Sequence, residues 1–386
     1  MLLTVSFGSV LYGFSIYVTD SAAGADFSSS MLSLAYAGSV VMGGLVAAPL
    51  GKWMDRRGTR RIAALGGLLT CAGMVAFSVA GSRVELVASW WLLIGPGTAM
   101  VYYEPAFVVI NQLVRAERRP HALGVVTVIG GFAGAIFIPL VEAMNSSLGW
   151  RPTVRVLGVA IALLGLGVAL LIPHRTAAHA AEAVGEKVPF KEIVNDRRFI
   201  YLTGGLVMLF LSLNALLAHR VDRFTEAGSD IQTVALLAGA ASLISLPGRF
   251  FGPVVAGRRE AIKVLELFVV VMIAAIALTI PAGPRWFMPS HFVLFGLAFG
   301  AILPLRAVVM DQWYGRNHYG RRMGIQQTAT LVLGGLGPLL VGVMRDLSGG
   351  FVAPMTILLV AALFGLGLVV AAGRVAPAPD VPEPIR

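Results

Sequence analysis

The chain has 386 residues, of which 57% are hydrophobic and only 13% charged, with a mean hydropathy of +0.82. Soluble domains carry about a quarter charged residues, so this composition excludes an ordinary water-soluble protein and assigns the apolar mass to lipid. The formal net charge of +10 would suit nucleic acid, but the placement of the basic residues accounts for it better, and no nucleic-acid partner is expected.

A hydrocarbon core about 30 Å thick calls for about 20 apolar residues per helix. Twelve such stretches occur, near 2–19, 30–50, 62–81, 86–113, 121–145, 152–173, 199–219, 231–256, 261–281, 287–312, 323–344 and 352–373. The first contains Tyr12, polar enough to line a path, as are Asn214, Gln326 and Gln327 further on; interhelical hydrogen bonding explains each as well. Ser21-Ala22-Ala23-Gly24-Ala25 imitates a signal-peptidase site but lacks a basic region before it, so a short or truncated amino terminus is expected instead. Between the second and third stretches stands Gly51-Lys52-Trp53-Met54-Asp55-Arg56-Arg57-Gly58-Thr59-Arg60-Arg61, read as an eleven-residue basic loop with Asp55 one helical turn after Gly51. Cys71 is the single cysteine, so no disulfide forms within one chain.

Charges inside a membrane helix cost about 2.5 to 3.5 kcal/mol at its centre, so each needs a reason. Glu104, within Tyr102-Tyr103-Glu104-Pro105 of the fourth stretch, lies roughly 14 Å from the cytoplasmic end; Arg249 in the eighth lies about 12 Å, and Arg306 in the tenth about 10 Å. One carboxylate and two guanidiniums at one level could form a charged layer, with Tyr102, Tyr103 and Tyr12 beside it. Snorkelling to the interface is the plain alternative for Arg306, and permanent pairing with an arginine that for Glu104. Pro96, Pro105 and Pro304, with Gly95, Gly97, Gly296 and Gly300, predict broken or bent fourth and tenth helices, admissible where a cavity satisfies the freed backbone. Glu142 and His219 are read as interfacial.

The longest connection, 174–198, separates two halves, predicting bundles at 1–173 and 199–373 and a tail at 374–386. At an offset of 200, Gln112, Gly124 and Gly149 recur as Gln312, Gly324 and Gly349, and Asn111 as Asp311. At 201, Gly51 and Arg57 recur as Gly252 and Arg258 while Asp55 becomes Ala256, a degraded copy. Of the 30 basic residues, 21 lie at the ends following even-numbered stretches or in the tail and 7 at the opposite ends, among them Arg220 and Arg223. The positive-inside bias then places both termini in the cytoplasm. There is no His-x-x-x-His pair, cysteine cluster or glycine-rich phosphate loop, so no metal, cofactor or enzymatic activity is expected and any energy must come from a gradient.

Gly51 to Arg61 resembles the cytoplasmic signature Gly-x-x-x-Asp-Arg-x-Gly-x-Arg-Arg of major facilitator superfamily transporters. Asn111 to Gly131, with Arg118-Arg119 and Gly130-Gly131, is similar to the corresponding region of monocarboxylate transporters. So is Leu246-Pro247-Gly248-Arg249-Phe250-Phe251-Gly252. Tyr314 to Gly320, Gly337-Pro338 and Asp346 to Gly349 resemble the monocarboxylate and oxalate/formate branch. The resemblance implies an all-α membrane protein of twelve transmembrane helices in two pseudo-symmetric bundles of six, acting as a monomer in the inner (plasma) membrane. It implies a secondary transporter of a small organic solute, a monocarboxylate-type anion, worked by alternating access and coupled to protons. Arg249 would bind the substrate carboxylate, Arg306 support it and Glu104 couple the proton; Gly51, Asp55, Arg56, Gly58, Arg60 and Arg61 would gate. The departures are Ser245, where animal monocarboxylate transporters carry an aspartate, and a first stretch with no charged residue before Asp20. Efflux of drug-like or cationic metabolites is the rival reading, and a non-transporting receptor or sensor the distant one.

Overall fold

The structure is a computed structural model and describes residues 1–19, 26–173, 189–281, 286–316 and 319–375. The segment 21–25, most of the 174–198 connection, Arg285, residues 317 and 318 and the end of the carboxyl tail lie outside the described residues. Every regular element among the described residues is a helix. They are α1 (2–19), α2 (Ser29–Arg57), α3 (Arg60–Val79), α4 (83–99), α5 (Tyr103–Leu113), α6 (Arg119–Gly131), α7 (Ala133–Leu148) and α8 (Trp150–Leu171). After the connection come α9 (Phe190–Asn195), α10 (Arg197–Glu226), α11 (Ile231–Ala256), α12 (Ala261–Ala277), α13 (Phe287–Tyr314), α14 (Tyr319–Val332), α15 (Gly337–Ser348) and α16 (Val352–Arg374).

Ten helical stretches among the described residues are long and apolar enough to cross a membrane, with α4 and α5, α6 and α7, and α14 and α15 each forming one. The other two stretches expected from sequence are shorter: α12 has 17 residues, and the apolar part of α1 covers Leu2–Tyr12. Many large apolar side chains face outward, Leu163, Leu170, Leu236, Leu339 and Phe364 among them, as suits helices whose solvent is hydrocarbon.

Helix ends depart from the apolar windows because caps, not hydropathy, set them. The signature stretch is not an eleven-residue loop: α2 continues to Arg57, and only Gly58 and Thr59 separate it from α3. Gly58 stops α2 with φ of 75°, a left-handed conformation open to glycine. At the start of α10, Asp196 Oδ1 accepts from the Arg198 and Phe199 N–H groups, and no breaker intervenes before Gly228 at φ 90°. Arg220 and Arg223, expected in a loop, are therefore buried helical residues. Asp230 caps α11, its carboxylate accepting from the Thr233 N–H at 2.8 Å and hydroxyl at 2.9 Å, which holds its pKa below the ordinary aspartate value.

The expected break in the fourth stretch is present: α4 contains a wide turn over Ser89–Ile94 and ends at Ala99, and α5 restarts at Tyr103 with Pro105 in its first turn, where a missing N–H costs nothing. The tenth is not broken, since α13 runs from Phe287 to Tyr314 straight through Pro304. The residue whose carbonyl the Pro304 ring would crowd is Gly300, four positions earlier, and Gly300 is clamped by a neighbouring helix. A Cβ there would collide with the Ser245 carbonyl of α11, one at Gly248 with the Leu297 carbonyl of α13, and one at Gly296 would lie 2.7 Å from the Ala241 carbonyl. Glycines facing from both helices form the close seam that membrane helices use in place of a hydrophobic driving force.

The chain resolves into two compact units that interleave in sequence. The first comprises 1–113, 129–186 and 316–328; the second 114–128, 187–315 and 329–386. A buried aromatic core in the first gathers Tyr17, Phe77, Trp90 and Trp150 with Phe14 and Tyr36. The second holds a smaller cluster of Phe224, Val234, Ala241 and Phe292.

Candidate functional site

In the second unit, Arg249 sits on α11 one residue past Gly248, so the seam with α13 fixes the backbone that carries it. The residue is 8% exposed. Its Nε donates to Ser245 Oγ at 3.3 Å, one turn earlier on the same helix, and the Ser245 hydroxyl in turn donates to the Ser242 carbonyl at 2.6 Å. The Nη1 group reaches the Thr127 carbonyl of α6 at 3.5 Å, and the guanidinium lies 5.5 Å from the Phe299 ring centroid of α13. Thr127 in turn donates to the Arg249 carbonyl at 3.3 Å, and Gly124 lets α6 approach: a Cβ there would stand 3.1 Å from the Phe250 carbonyl. Three helices thus orient one guanidinium through a hydroxyl, a carbonyl and a ring face. Arg306 lies further along α13 in the same unit and is completely buried, which no snorkelling arginine would be.

Glu104 and the three tyrosines belong to the first unit. Glu104 is buried to 8% exposure in the first turn of α5, where the free N–H groups and helix dipole favour negative charge. Tyr102 stacks on Phe7 at 3.9 Å between centroids, and Tyr103 meets the same ring at 5.0 Å and Phe107 at 5.6 Å. Tyr12 ends the wide turn Phe7–Tyr12 of α1 and packs over Gly134 of α7, where a Cβ would lie 2.9 Å from its ring. The structure therefore brings Tyr102 and Tyr103 together around Phe7, with Glu104 the next residue on the same helix, and puts Arg249 and Arg306 onto the two seamed helices.

The signature residues are also in the first unit. Asp55 is 8% exposed; its Oδ1 accepts from the Gly320 N–H at 2.8 Å and its Oδ2 from the Arg321 N–H at 2.7 Å. These are the second and third residues of α14, so the carboxylate satisfies two of the four orphan donors of another helix and sits at its positive end. Glycines make the approach possible, for a Cβ at Gly51 would strike the Gly320 carbonyl, and one at Gly320 would lie 2.6 Å from Asp55 Oδ1. Arg56, Arg57 and Arg61 are exposed and Arg60 half-buried. Gln112 donates to the Met54 carbonyl near the end of α2, and its repeat mate Gln312 donates to the Ala256 carbonyl at the end of α11, so the 200-residue repeat preserves one side-chain task in both copies. The aspartate junction is not preserved. Ala256 offers no carboxylate, and the position matching Gly320 is Pro120, which has no N–H to give; the Pro120 ring packs against Gly257 instead, 2.7 Å from where a Cβ would be.

Sequence reasoning missed the ion pair that binds this second junction. Arg119 Nη1 meets Asp311 Oδ1 at 2.6 Å with both side chains about nine-tenths buried, and Arg119 Nε donates to the Val114 carbonyl. The only signal was the Asn111/Asp311 mismatch within an otherwise matching repeat. Asn214 donates to the Gly334 carbonyl and His219 Nε2 lies 3.0 Å from that of Pro338, interhelical roles; Glu142 is exposed. No group of three or more His, Cys, Asp or Glu suited to a metal occurs among the described residues.

The model of the family described as Major Facilitator Superfamily matches residues 1–305. Monocarboxylate transporter 13 of Rattus norvegicus is 25% identical over 328 residues, covering 83% of this chain and 75% of the rat protein. Monocarboxylate transporter 2 of Homo sapiens is 23% identical over 355 residues, covering 84% of this chain and 72% of its own. Among solved structures, the fucose:proton symporter of E. coli superposes with a TM-score of 0.76 at 14% identity, over 97% of this chain and 96% of the symporter.

Proposed function

The chain belongs to the Major Facilitator Superfamily, and from that premise we propose that this multi-pass membrane transporter carries a small monocarboxylate-type anion by alternating access, coupled to protons. The observation that carries the reading is Arg249. It is a buried guanidinium, oriented by Ser245, Thr127 and Phe299, at the position to which the monocarboxylate resemblance gives the substrate carboxylate, and a guanidinium fork is the natural bidentate partner of that group. Where the relatives' aspartate would stand, Ser245 supplies a hydroxyl, so an arriving anion meets no carboxylate one turn away on α11. The similarity to monocarboxylate transporters supports the cargo, and that to a fucose:proton symporter is in keeping with the coupling.

In this reading Glu104 takes up and releases the proton, Arg306 adds positive potential, and Tyr12, Tyr102 and Tyr103 line the path. Asp55 with Gly51, Arg56, Gly58, Arg60 and Arg61 forms the gate: the carboxylate holds the start of α14 in one conformation and releases it in the other. The twelve-helix count, bundles at 1–173 and 199–373, cytoplasmic termini and a place in the plasma membrane belong to the same proposal.

The test is uptake of labelled monocarboxylates into proteoliposomes with and without an inward-acid gradient. Arg249→Ala should abolish carboxylate uptake, and unchanged uptake would remove the anion site. Glu104→Gln should keep exchange but lose accumulation against the gradient; accumulation at the normal level would remove the coupling role.

A further inference from the structure

A further buried cation lies on α10 at the opposite end from Asp196, whose carboxylate accepts from the Tyr314 hydroxyl at 2.7 Å. Arg220, on α10, is 7% exposed. Its guanidinium carbon stands 5.1 Å from the Phe292 centroid and 4.4 Å from the Phe295 centroid. Its buried Nη1 has no hydrogen-bond partner, and no carboxylate among the described residues is within ion-pair distance. The acids nearest in sequence are otherwise placed: Asp222 is exposed, while Glu226 pairs with Arg345 at 3.6 Å and accepts from the Phe351 N–H. Arg223, one turn away on the same helix, shows what a satisfied arginine looks like here, donating to the Thr279 carbonyl at 2.8 Å and the Ile280 carbonyl at 2.6 Å.

The same two rings also hold a histidine. His291, completely buried, lies 5.0 Å from the Phe292 centroid and 5.7 Å from that of Phe295. Its Nδ1 is 2.9 Å from the Ala275 carbonyl; a carbonyl only accepts, so Nδ1 carries the proton. That leaves Nε2 buried without a partner. A guanidinium with an unsatisfied donor thus shares one aromatic cradle with a neutral imidazole, whose Nε2 is an acceptor and adds no positive charge or donor of its own. Burying a cation without a counter-charge is costly, and ring faces return only part of that cost. The missing component is an anion.

We propose that Arg220 is a second recognition site, for the carboxylate of a small organic anion, separate from Arg249. The carboxylate accepts from Arg220 Nη1, and Phe292 and Phe295 hold the plane of the fork for it. In the orientation proposed above, this site lies toward the outer face, where an anion would be met before it reached Arg249.

The test uses the purified full chain carrying Arg249→Ala, so that only the second site reports, and follows the thermal unfolding midpoint against sodium acetate with sodium chloride as the ionic control. A saturable rise specific to acetate is expected; its absence overturns the proposal. Adding Arg220→Met should raise the half-saturating acetate concentration about tenfold or more, the loss of one charge-assisted bond. The midpoint in chloride should not fall, because an apolar side chain of similar length replaces an uncompensated charge. A guanidinium serving only as an aromatic clamp would instead leave the acetate titration unchanged in Arg220→Met, which also overturns the proposal. If the methionine variant does not fold, Arg220→Lys keeps the charge without the fork, and an unaltered titration there is decisive in the same way. Failure of this site leaves the uptake result for Arg249 untouched, and failure of Arg249 in uptake leaves the acetate titration untouched.

Discussion

Arg249 donates through Nε along its own helix and through Nη1 to another, so its orientation survives only while the fork is planar. Arg249→Lys keeps a charge but not that geometry, and substrate affinity measured by equilibrium binding should fall tenfold to about a hundredfold, the range for losing a charge-assisted bond of about 1.5 to 3 kcal/mol. Arg119 and Asp311 invite a different measurement. Each single reversal, Arg119→Asp or Asp311→Arg, leaves two like charges in a buried contact and should lower thermal stability by about 3 kcal/mol or more; the double reversal should recover a large part of it. Additivity of the two single losses would show that the pair does not interact. Glu104, Arg249 and Arg306 were legible in the sequence because a charge inside an apolar run stands out at once. The pair of Arg119 with Asp311 was not, because its members are 192 residues apart and each sits at a helix end, where charged residues are ordinary. Arg220 was read as a loop residue for a related reason: the hydrophobic window ends at the first charges, whereas the helix ends at the next conformational stop, Gly228.

At the scale of elements, proline alone was a poor guide to where helices break. Pro105 coincides with a restart and Pro304 does not, and the difference is the seam holding Gly296 and Gly300 against α11, which no local pattern displays. Gly300→Ala puts a methyl group into the Ser245 carbonyl and must part the two helices, so folded yield and the melting midpoint should drop, with a loss of about 1 to 3 kcal/mol; Gly367→Ala on α16, where a Cβ meets nothing within 4 Å, is the matching control and should be near neutral. The cap at the start of α11 gives a pH signature. Asp230 has a depressed pKa in the folded state, so its contribution is present above the unfolded aspartate value near pH 4 and is lost as pH falls through the folded value. Asp230→Asn should therefore flatten the acid limb of the stability profile while changing little between pH 6 and 8, both read from thermal midpoints across a buffer series.

For the molecule as a whole, the apolar windows gave ten of the expected crossings among the described residues. Residues 316–328 cluster with the first unit and 114–128 with the second, and within the first the start of α14 depends on the Asp55 carboxylate. Asp55→Ala should expose this dependence. Removing the carboxylate frees two backbone donors at the start of α14, and hydrogen exchange at Gly320 and Arg321 should accelerate well beyond any global loss of stability; a uniform change along the chain would mean that the contact is incidental. Ala256 and Pro120 set how the other junction answers to substitution. Introducing an acid by Ala256→Asp would bury a carboxylate next to Pro120, which cannot donate, and Pro120→Gly alone would offer a donor to a methyl group, so each single change is penalised or idle and only the pair gains. The two substitutions should therefore be non-additive, and the second junction is held by a different chemistry, the ion pair of Arg119 with Asp311.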